Sequence, residues 1–559
     1  MVRKFFSLFN KEIGGLHEAA FLLGLSTLAS QVLALLRDRL LAASFGASGE
    51  LDVYYAAFRV PDLIYVSLAS FVSVTVLIPF IIERLSGGKE VEVRRFLDQI
   101  LTVFIVVMVV VSGAAFFALP YISPLLAPGF SAEQLALLST LSRFLLLSPF
   151  LLGLSNLFGA VTQATRKFFI YALSPILYNL GIIVGIIWLY PRWGLVGIGA
   201  GVVVGAFLHL AIQWPSVYRA RLFPGLTSSF SAVELWRVVA VSLPRTLTLS
   251  AHQLSLAVIV ALASASGRGA VSVFNLSFNL QSVPLAIVGV SYSVAAFPAL
   301  TKMFSAGEHE KFVEQISATI RHIIFWSMPA MVFFIVLRAQ IVRVLLGAGE
   351  FSWADTRLTA AALAVFSVSV LAQSLVLLFV RGYYAAGKTA RPLVANTASS
   401  ALIVVLAFAF VWLFKNIPVF EYFFEALLRI GDLPGTVVVM LPLAFSAGLL
   451  INACIFWCFF QRDFGSFPKD VYNTLFQTFS ASVLGGAAAY QTLDSLGMIF
   501  DINTFWGIFL QGFVAGILGI VVWIVILRLS DNQEIKDVTR VVHRKFWKRV
   551  PVMPSPEEL

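Results

Sequence analysis

Apolar runs of about 20 residues, each bounded by a short polar turn, recur along the whole chain, and a run of that length crosses roughly 30 Å of hydrocarbon as a helix. The alternating ten-residue pattern of a membrane β-barrel is absent, so helices are the spanning elements. Fourteen spans are expected, centred near Ser30, Leu68, Met108, Leu146, Leu180, Val204, Ser250, Leu285, Trp326, Val370, Val405, Ala447, Ser482 and Gly516. An even number puts both chain ends on one side.

The polar positions inside these runs carry the chemistry. Ser30–Pro79 reads as two spans joined by the turn Gly46–Gly49, yet it holds Gln31, Arg37, Asp38, Arg39, Asp52, Arg59 and Asp62. A charge near the bilayer centre costs about 2.5–3.5 kcal/mol, so such groups face a wet cavity or a partner. Asp52, Tyr55, Arg59 and Asp62 fall on one helical face. A stripe of both signs either offers donors to a ligand or closes on itself as an ion-pair ladder. For Asp52 the expected single role is capping the outer end of its own helix. Arg37, Asp38 and Arg39 are consecutive, so at most two face inward, with snorkelling to the interface as the alternative.

The second half of the chain is milder. On span seven Arg245, Thr248, His252 and Ser255 share a face, and Thr246, Ser250 and Gln253 share the adjacent one. On span eight Asn275, Asn279 and Ser282 align. Such amides hold sugar hydroxyls or lock helices together, and His252 reads as a packing residue. Prolines at 61, 79, 175, 244, 284 and 298 suit segments that bend.

Composition agrees with the pattern: 59% hydrophobic residues, 12% charged and a mean hydropathy of +0.91. Soluble domains carry roughly twice that charged fraction. The net charge of +10 would suggest nucleic acid in a soluble protein. Here the basic residues cluster in alternate turns, as in Arg84, Lys89, Arg94 and Arg95, or Arg166 and Lys167, and in the tail from Lys536 to Arg549. The turns Gly46–Gly49, Tyr121–Phe130 and Leu493–Asn503 have none. The positive-inside rule then makes both ends cytoplasmic and accounts for most of the charge without a nucleic acid, Arg192, Arg268, Arg338, Arg343, Arg357, Lys415 and Arg429 being exceptions. The tail reads as an anchor on anionic lipid.

Three motifs repeat at matching offsets. Ser48-Gly49 returns as Ser266-Gly267, 218 positions on; Pro79 returns as Pro298, 219 on; Pro175 and Asn179 return as Pro392 and Asn396, 217 on. The chain is therefore expected to be an all-α polytopic membrane protein of two six-helix repeats plus a C-terminal helix pair. The boundaries are a leader at 1–16, a first lobe at 17–222, a second at 232–461, the pair at 470–529 and a basic tail at 530–559.

No Walker loop, HExxH or GxSxG occurs, and the loops are too short for a soluble catalytic domain. A transporter is expected, without cofactor or metal, and driven by an ion, the membrane potential or a substrate gradient. Cys454 and Cys458, four apart in an apolar run, read as buried small hydrophobes.

The string RDRLLAASFGASGELDVYYAAFRVPDLI (Arg37–Ile64) resembles the signature of the lipid II flippase MurJ (MviN) family. Gly194–Pro215, Leu243–Gln253, Gln281–Leu300 and Tyr383–Val394 are similar to further motifs of that family. The resemblance implies a multidrug/oligosaccharidyl-lipid/polysaccharide exporter fold whose lobes expose a central cationic cavity to alternate faces. The diphosphate and sugars of lipid II would sit there, with the lipid tail along the last helix pair. Arg37, Asp38 and Asp52 match motif positions, and Arg59 stands where the family often has a basic residue. Three positions depart from it: Gln31, Tyr65 and Asn279 stand where the resemblance places arginines.

The expected substrate-binding set is Arg37, Asp38, Asp52, Arg59, Arg245, Gln253, Asn275 and Asn279, and the expected function is lipid II flipping. The alternatives are a flippase for another lipid-linked oligosaccharide, such as an O-antigen unit, a membrane-embedded glycan polymerase using Glu350 or Asp355, and a non-transporting scaffold.

Overall fold

The computed structural model describes residues 16–69, 72–86, 90–501 and 504–547. The expected leader, apart from Leu16, and the end of the basic tail lie outside these residues, as does Lys89. Every regular element described is helical. In chain order the first are α1 (Leu16–Phe45), α2 (Gly49–Ala57), α3 (Arg59–Ile64), α4 (Val74–Ser86), α5 (Glu90–Leu126) and α6 (Ala132–Ala164). Then come α7 (Phe168–Trp193), α8 (Leu195–Arg219), α9 (Ala232–Ser264), α10 (Ala270–Ser305) and α11 (His309–Val336). The remainder are α12 (Arg338–Leu346), α13 (Trp353–Ser367), α14 (Ser369–Ala385), α15 (Ala390–Asn416), α16 (Pro418–Leu428), α17 (Thr436–Phe464), α18 (Lys469–Leu496), α19 (Phe505–Leu529) and α20 (Gln533–Trp547).

Among the described residues ten helices are long and apolar enough to span a membrane, or eleven if the bent pair α13–α14 is one span. The three other expected spans coincide with α1, the broken run α2–α4, and α18. The run α2–α4 is broken into short helices, and α18 is polar for a span. The count of fourteen is compatible with this.

The chain forms two compact units. The first comprises residues 1–280, 345–362 and 389–448; the second comprises 281–344, 363–388 and 449–559. A core of the first lies on α4, α5 and α6, where Leu77, Ile81, Phe96, Leu97, Met108, Leu157 and Ala160 are buried. In the second, Phe325, Ala481, Trp523, Leu527 and Ile535 pack together. There α20 is tied to α11 by Arg321 Nε donating to the buried Glu534 carboxylate at 3.0 Å. Cys454 and Cys458 are exposed on α17, which corrects the expectation that they are buried.

The break in the second span has a local cause. Pro61 has no N–H, so it cannot take up the carbonyl of Ala57 one turn back. The buried Ser142 hydroxyl on α6 donates to that carbonyl at 3.1 Å instead. The chain ends α2 at Ala57, restarts as α3 at Arg59, and widens to a π turn at Tyr65–Ala69. Two further π turns follow among the described residues, Gly185–Leu189 within α7 and Leu285–Val290 within α10, the latter beginning 220 positions after the first. The break sets the rotation of Arg59 relative to Asp52.

Candidate functional site

Within the first unit a cavity of about 260 Å³ is walled by α1, α2, α3, α7, α9 and the start of α10. Arg37, Arg59, Asp62, Gln253, Asn275 and Asn279 supply its polar lining. Tyr54, Tyr55, Phe58, Tyr178, Phe274 and Phe278 supply an aromatic one. Five of the eight expected binding residues therefore meet in one place: Arg37, Arg59, Gln253, Asn275 and Asn279.

The two arginines are held differently. Arg37 pairs with its neighbour Asp38, Nη2 to Oδ1 at 2.8 Å, and its Nη1 donates to Asn179 Oδ1 at 3.3 Å. Asp38, itself buried, also accepts from Asn279 Nδ2 at 3.0 Å. Asp38 thus acts on the cavity by fixing two of its lining groups. Arg39 points away and donates to the Leu345 carbonyl at 3.4 Å.

Among the described residues Arg59 is bound through one nitrogen, Nη2 to Asn275 Oδ1. Asn275 in turn donates to the Val271 carbonyl at 2.7 Å, so its amide orientation is fixed by its own helix. The Nε of Arg59 and the hydroxyl of Tyr55 are buried without a hydrogen-bond partner among the described residues. Buried polar atoms are paired in the great majority of cases. Both residues line the cavity, and the Arg59 guanidinium keeps donor capacity that Asn275 does not use.

Asp52 lies outside the cavity lining, and the expectation that it caps its own helix is corrected. Ser48 is the cap of α2, accepting from Leu51 N at 3.4 Å. Asp52, only 1% exposed, caps α10 instead. Oδ2 accepts from Gly269 N at 2.6 Å, and Oδ1 accepts from Ser272 N and Ser272 Oγ, each at 2.7 Å. A carboxylate at a helix N-terminus satisfies orphan N–H groups and opposes the positive end of the dipole. Removing it leaves the Gly269 and Ser272 N–H groups unpaired at the start of the helix that carries Asn275 and Asn279, while the Ser272 hydroxyl keeps only the Ser48 carbonyl at 3.4 Å. Asp52→Ala is expected to destabilise the protein by about 2–4 kcal/mol, read as a lowered melting temperature, with Asp52→Asn losing roughly half as much.

Arg245 is exposed on α9 and does not line the cavity. His252 packs with its ring centroid 6.2 Å from that of Phe445. Tyr65, at a departure from the family pattern, accepts from Asn156 Nδ2 at 3.1 Å. Tyr178 and Asn179 of α7 join the site although the sequence marked only the Pro175–Asn179 motif, as a repeat.

The family model described as lipid II flippase MurJ matches residues 41–509. The chain belongs to the lipid II flippase MurJ family. Among MurJ relatives, a probable lipid II flippase from Rhizobium meliloti (strain 1021) is 24% identical over 392 residues, covering 69% of this chain and 73% of that one. A probable lipid II flippase MurJ from Thermotoga maritima is 29% identical over 394 residues, covering 69% of this chain and 77% of its own. A solved structure titled as lipid II flippase MurJ in an inward closed conformation superposes with a TM-score of 0.72. It has 21% identity and covers 94% of this chain and all of that one, so it speaks to the fold. As a MurJ family member the chain is a multi-pass inner-membrane transporter, not an enzyme.

Proposed function

We propose that the chain carries lipid II, the undecaprenyl-diphosphate-linked peptidoglycan precursor, from the inner to the outer leaflet by alternating access. Arg59 is the primary seat of the diphosphate, Arg37 its second contact, and Asn275, Asn279 and Gln253 supply neutral hydrogen bonds around it. The observation that carries this assignment is a cavity-lining arginine, Arg59, whose Nε is buried without a hydrogen-bond partner among the described residues, as is the hydroxyl of Tyr55 in the same lining. A guanidinium fork suits two phosphate oxygens, and an ammonium or amide does not reproduce that geometry.

The cavity of about 260 Å³ is smaller than the roughly 300–1,000 Å³ of pockets that enclose a drug-sized ligand. It seats part of a large head group, and the cycle has to widen it. Both chain ends are assigned to the cytoplasm from the basic turns. The energy enters through a coupling ion, the membrane potential or the substrate gradient.

A flippase for another lipid-linked glycan is the second reading, favoured by Gln31, Tyr65 and Asn279 where the family resemblance places arginines. Depleting the protein in its host separates the two. Lipid II is expected to accumulate on the cytoplasmic leaflet within one division. Accumulation of a different carrier-linked glycan, with lipid II export unchanged, decides for the second reading.

A further inference from the structure

A second chamber, of about 350 Å³, lies between α1 and α7 in the same unit. Its polar lining comes from Ser26, Thr27, Ser30 and Gln31 on α1 and from Tyr171 and Asn179 on α7. Arg37 and Tyr178 line both this chamber and the cationic cavity, so the two share a wall. Arg37 is the single charged residue among the lining residues.

The hydrogen bonding is ordered from the shared wall outward. Arg37 Nη1 donates to Asn179 Oδ1, and Asn179 Nδ2 donates to Ser30 Oγ at 3.2 Å and to the Pro175 carbonyl at 3.2 Å. Asn179 is only 6% exposed, so its geometry is set. The amide of Gln31 has no hydrogen-bond partner among the described residues and stands in the chamber wall. Charge thus ends at Arg37, and beyond it come hydroxyls and amides that both donate and accept. Phosphate oxygens only accept, and they favour cations; sugar hydroxyls and N-acetyl groups do both and are neutral. In a glycosyl diphosphate the first sugar is bonded directly to a phosphate, so a seat for it must adjoin the phosphate seat.

We propose that the α1–α7 chamber is a glycan subsite, with Gln31 as a specificity-determining residue that reads the neutral sugar next to the diphosphate held at Arg37 and Arg59. The inference rests on the lipid-linked glycan reading above. It also gives one departure from the family pattern a purpose: an arginine at position 31 would extend the phosphate seat into this chamber, and glutamine keeps the chamber neutral.

The test is binding of two lipids to the purified full-length protein in detergent, lipid II and sugar-free undecaprenyl diphosphate. The wild type binds lipid II more tightly. Gln31→Leu is expected to weaken lipid II about fivefold or more, the worth of one or two neutral hydrogen bonds, and to leave undecaprenyl diphosphate within about twofold. Gln31→Arg is expected to narrow the gap by tightening undecaprenyl diphosphate. Ser26→Ala, a smaller change in the same wall, guards against misfolding of the Gln31 variants and is expected to move the two affinities in the same unequal way. Equal losses for both lipids, or none for either, overturn the proposal, as does a wild type that binds both equally. A wild type that binds neither lipid, yet binds another carrier-linked glycan, overturns the lipid II reading itself. The chamber is then judged by the same ratio with that glycan and its sugar-free carrier.

Discussion

Arg59→Met is expected to reduce lipid II flipping at least 100-fold in proteoliposomes while the protein still folds. Among the described residues Arg59 is bound through one nitrogen, to Asn275, and its Nε is buried without a partner. Holding a guanidinium in such a place costs stability, because a buried polar group without a partner keeps its full desolvation penalty. The cost is offset only when acceptor oxygens arrive. Two charge-assisted bonds to a diphosphate contribute about 3–6 kcal/mol in total, and losing them lowers occupancy by two or more orders of magnitude. Arg59→Lys keeps the charge without the fork and is expected to lose about tenfold.

Stability gives an independent reading. Asp62 lines the same cavity, so the single variant leaves a carboxylate facing a hollow. The double variant Arg59→Met/Asp62→Asn removes both charges and is expected to melt at or above the wild-type temperature while transport stays absent. That is the signature of a residue kept for function against stability. Wild-type flipping by Arg59→Met would remove Arg59 from the seat, and a large fall in the melting temperature of the double variant would make the residue structural.

The face Tyr55–Arg59–Asp62 was legible in the sequence because helical spacing puts those positions in register, and the cavity lining contains all three. Asn275 and Asn279 were legible for the same reason. Asp52 was legible as a cap but not as a cap of α10, since its three donors lie 217 and 220 positions away and that pairing belongs to the tertiary fold. The true cap, Ser48, was visible in the turn yet read only as a repeat marker. Arg245 shows the limit of periodicity: in a span with polar residues on two adjacent faces, spacing says which residues share a face but not which face turns inward. Tyr178 and Asn179 carried a signal, an amide inside an apolar run. The π turns at Tyr65–Ala69 and Leu285–Val290 carried an indirect signal, Pro61 and Pro284 just ahead of them, which marks a bend but not a widened turn.

Gly205→Ala is expected to cost about 3 kcal/mol or more and to abolish most folded protein, since α7 and α8 meet through glycines. Gly181 and Gly185 on α7 are four apart, as are Gly201 and Gly205 on α8, and small residues at that spacing let two helix backbones touch. A Cβ on Gly205 would stand 2.5 Å from the Tyr178 carbonyl oxygen, and one on Gly185 would stand 2.8 Å from the Gly201 Cα. A Cβ on Gly181 would meet the backbone of Gly205. Backbone cannot rotate away as a side chain can, so the helices must separate, and overpacking of this kind lies at or above the usual 1–3 kcal/mol. The damage reaches the site because Tyr178 and Ile182 of α7 line the cationic cavity and Asn179 orients Arg37. Gly113→Ala on α5 is the control: nothing lies within 4 Å of its added Cβ. Replacing glycine by alanine in an open helix position is worth up to about 1 kcal/mol in the stabilising direction. Size-exclusion profiles and melting temperatures of the two variants are expected to diverge in opposite directions, and a Gly205→Ala protein that melts with the wild type would show that α7 and α8 do not make this contact.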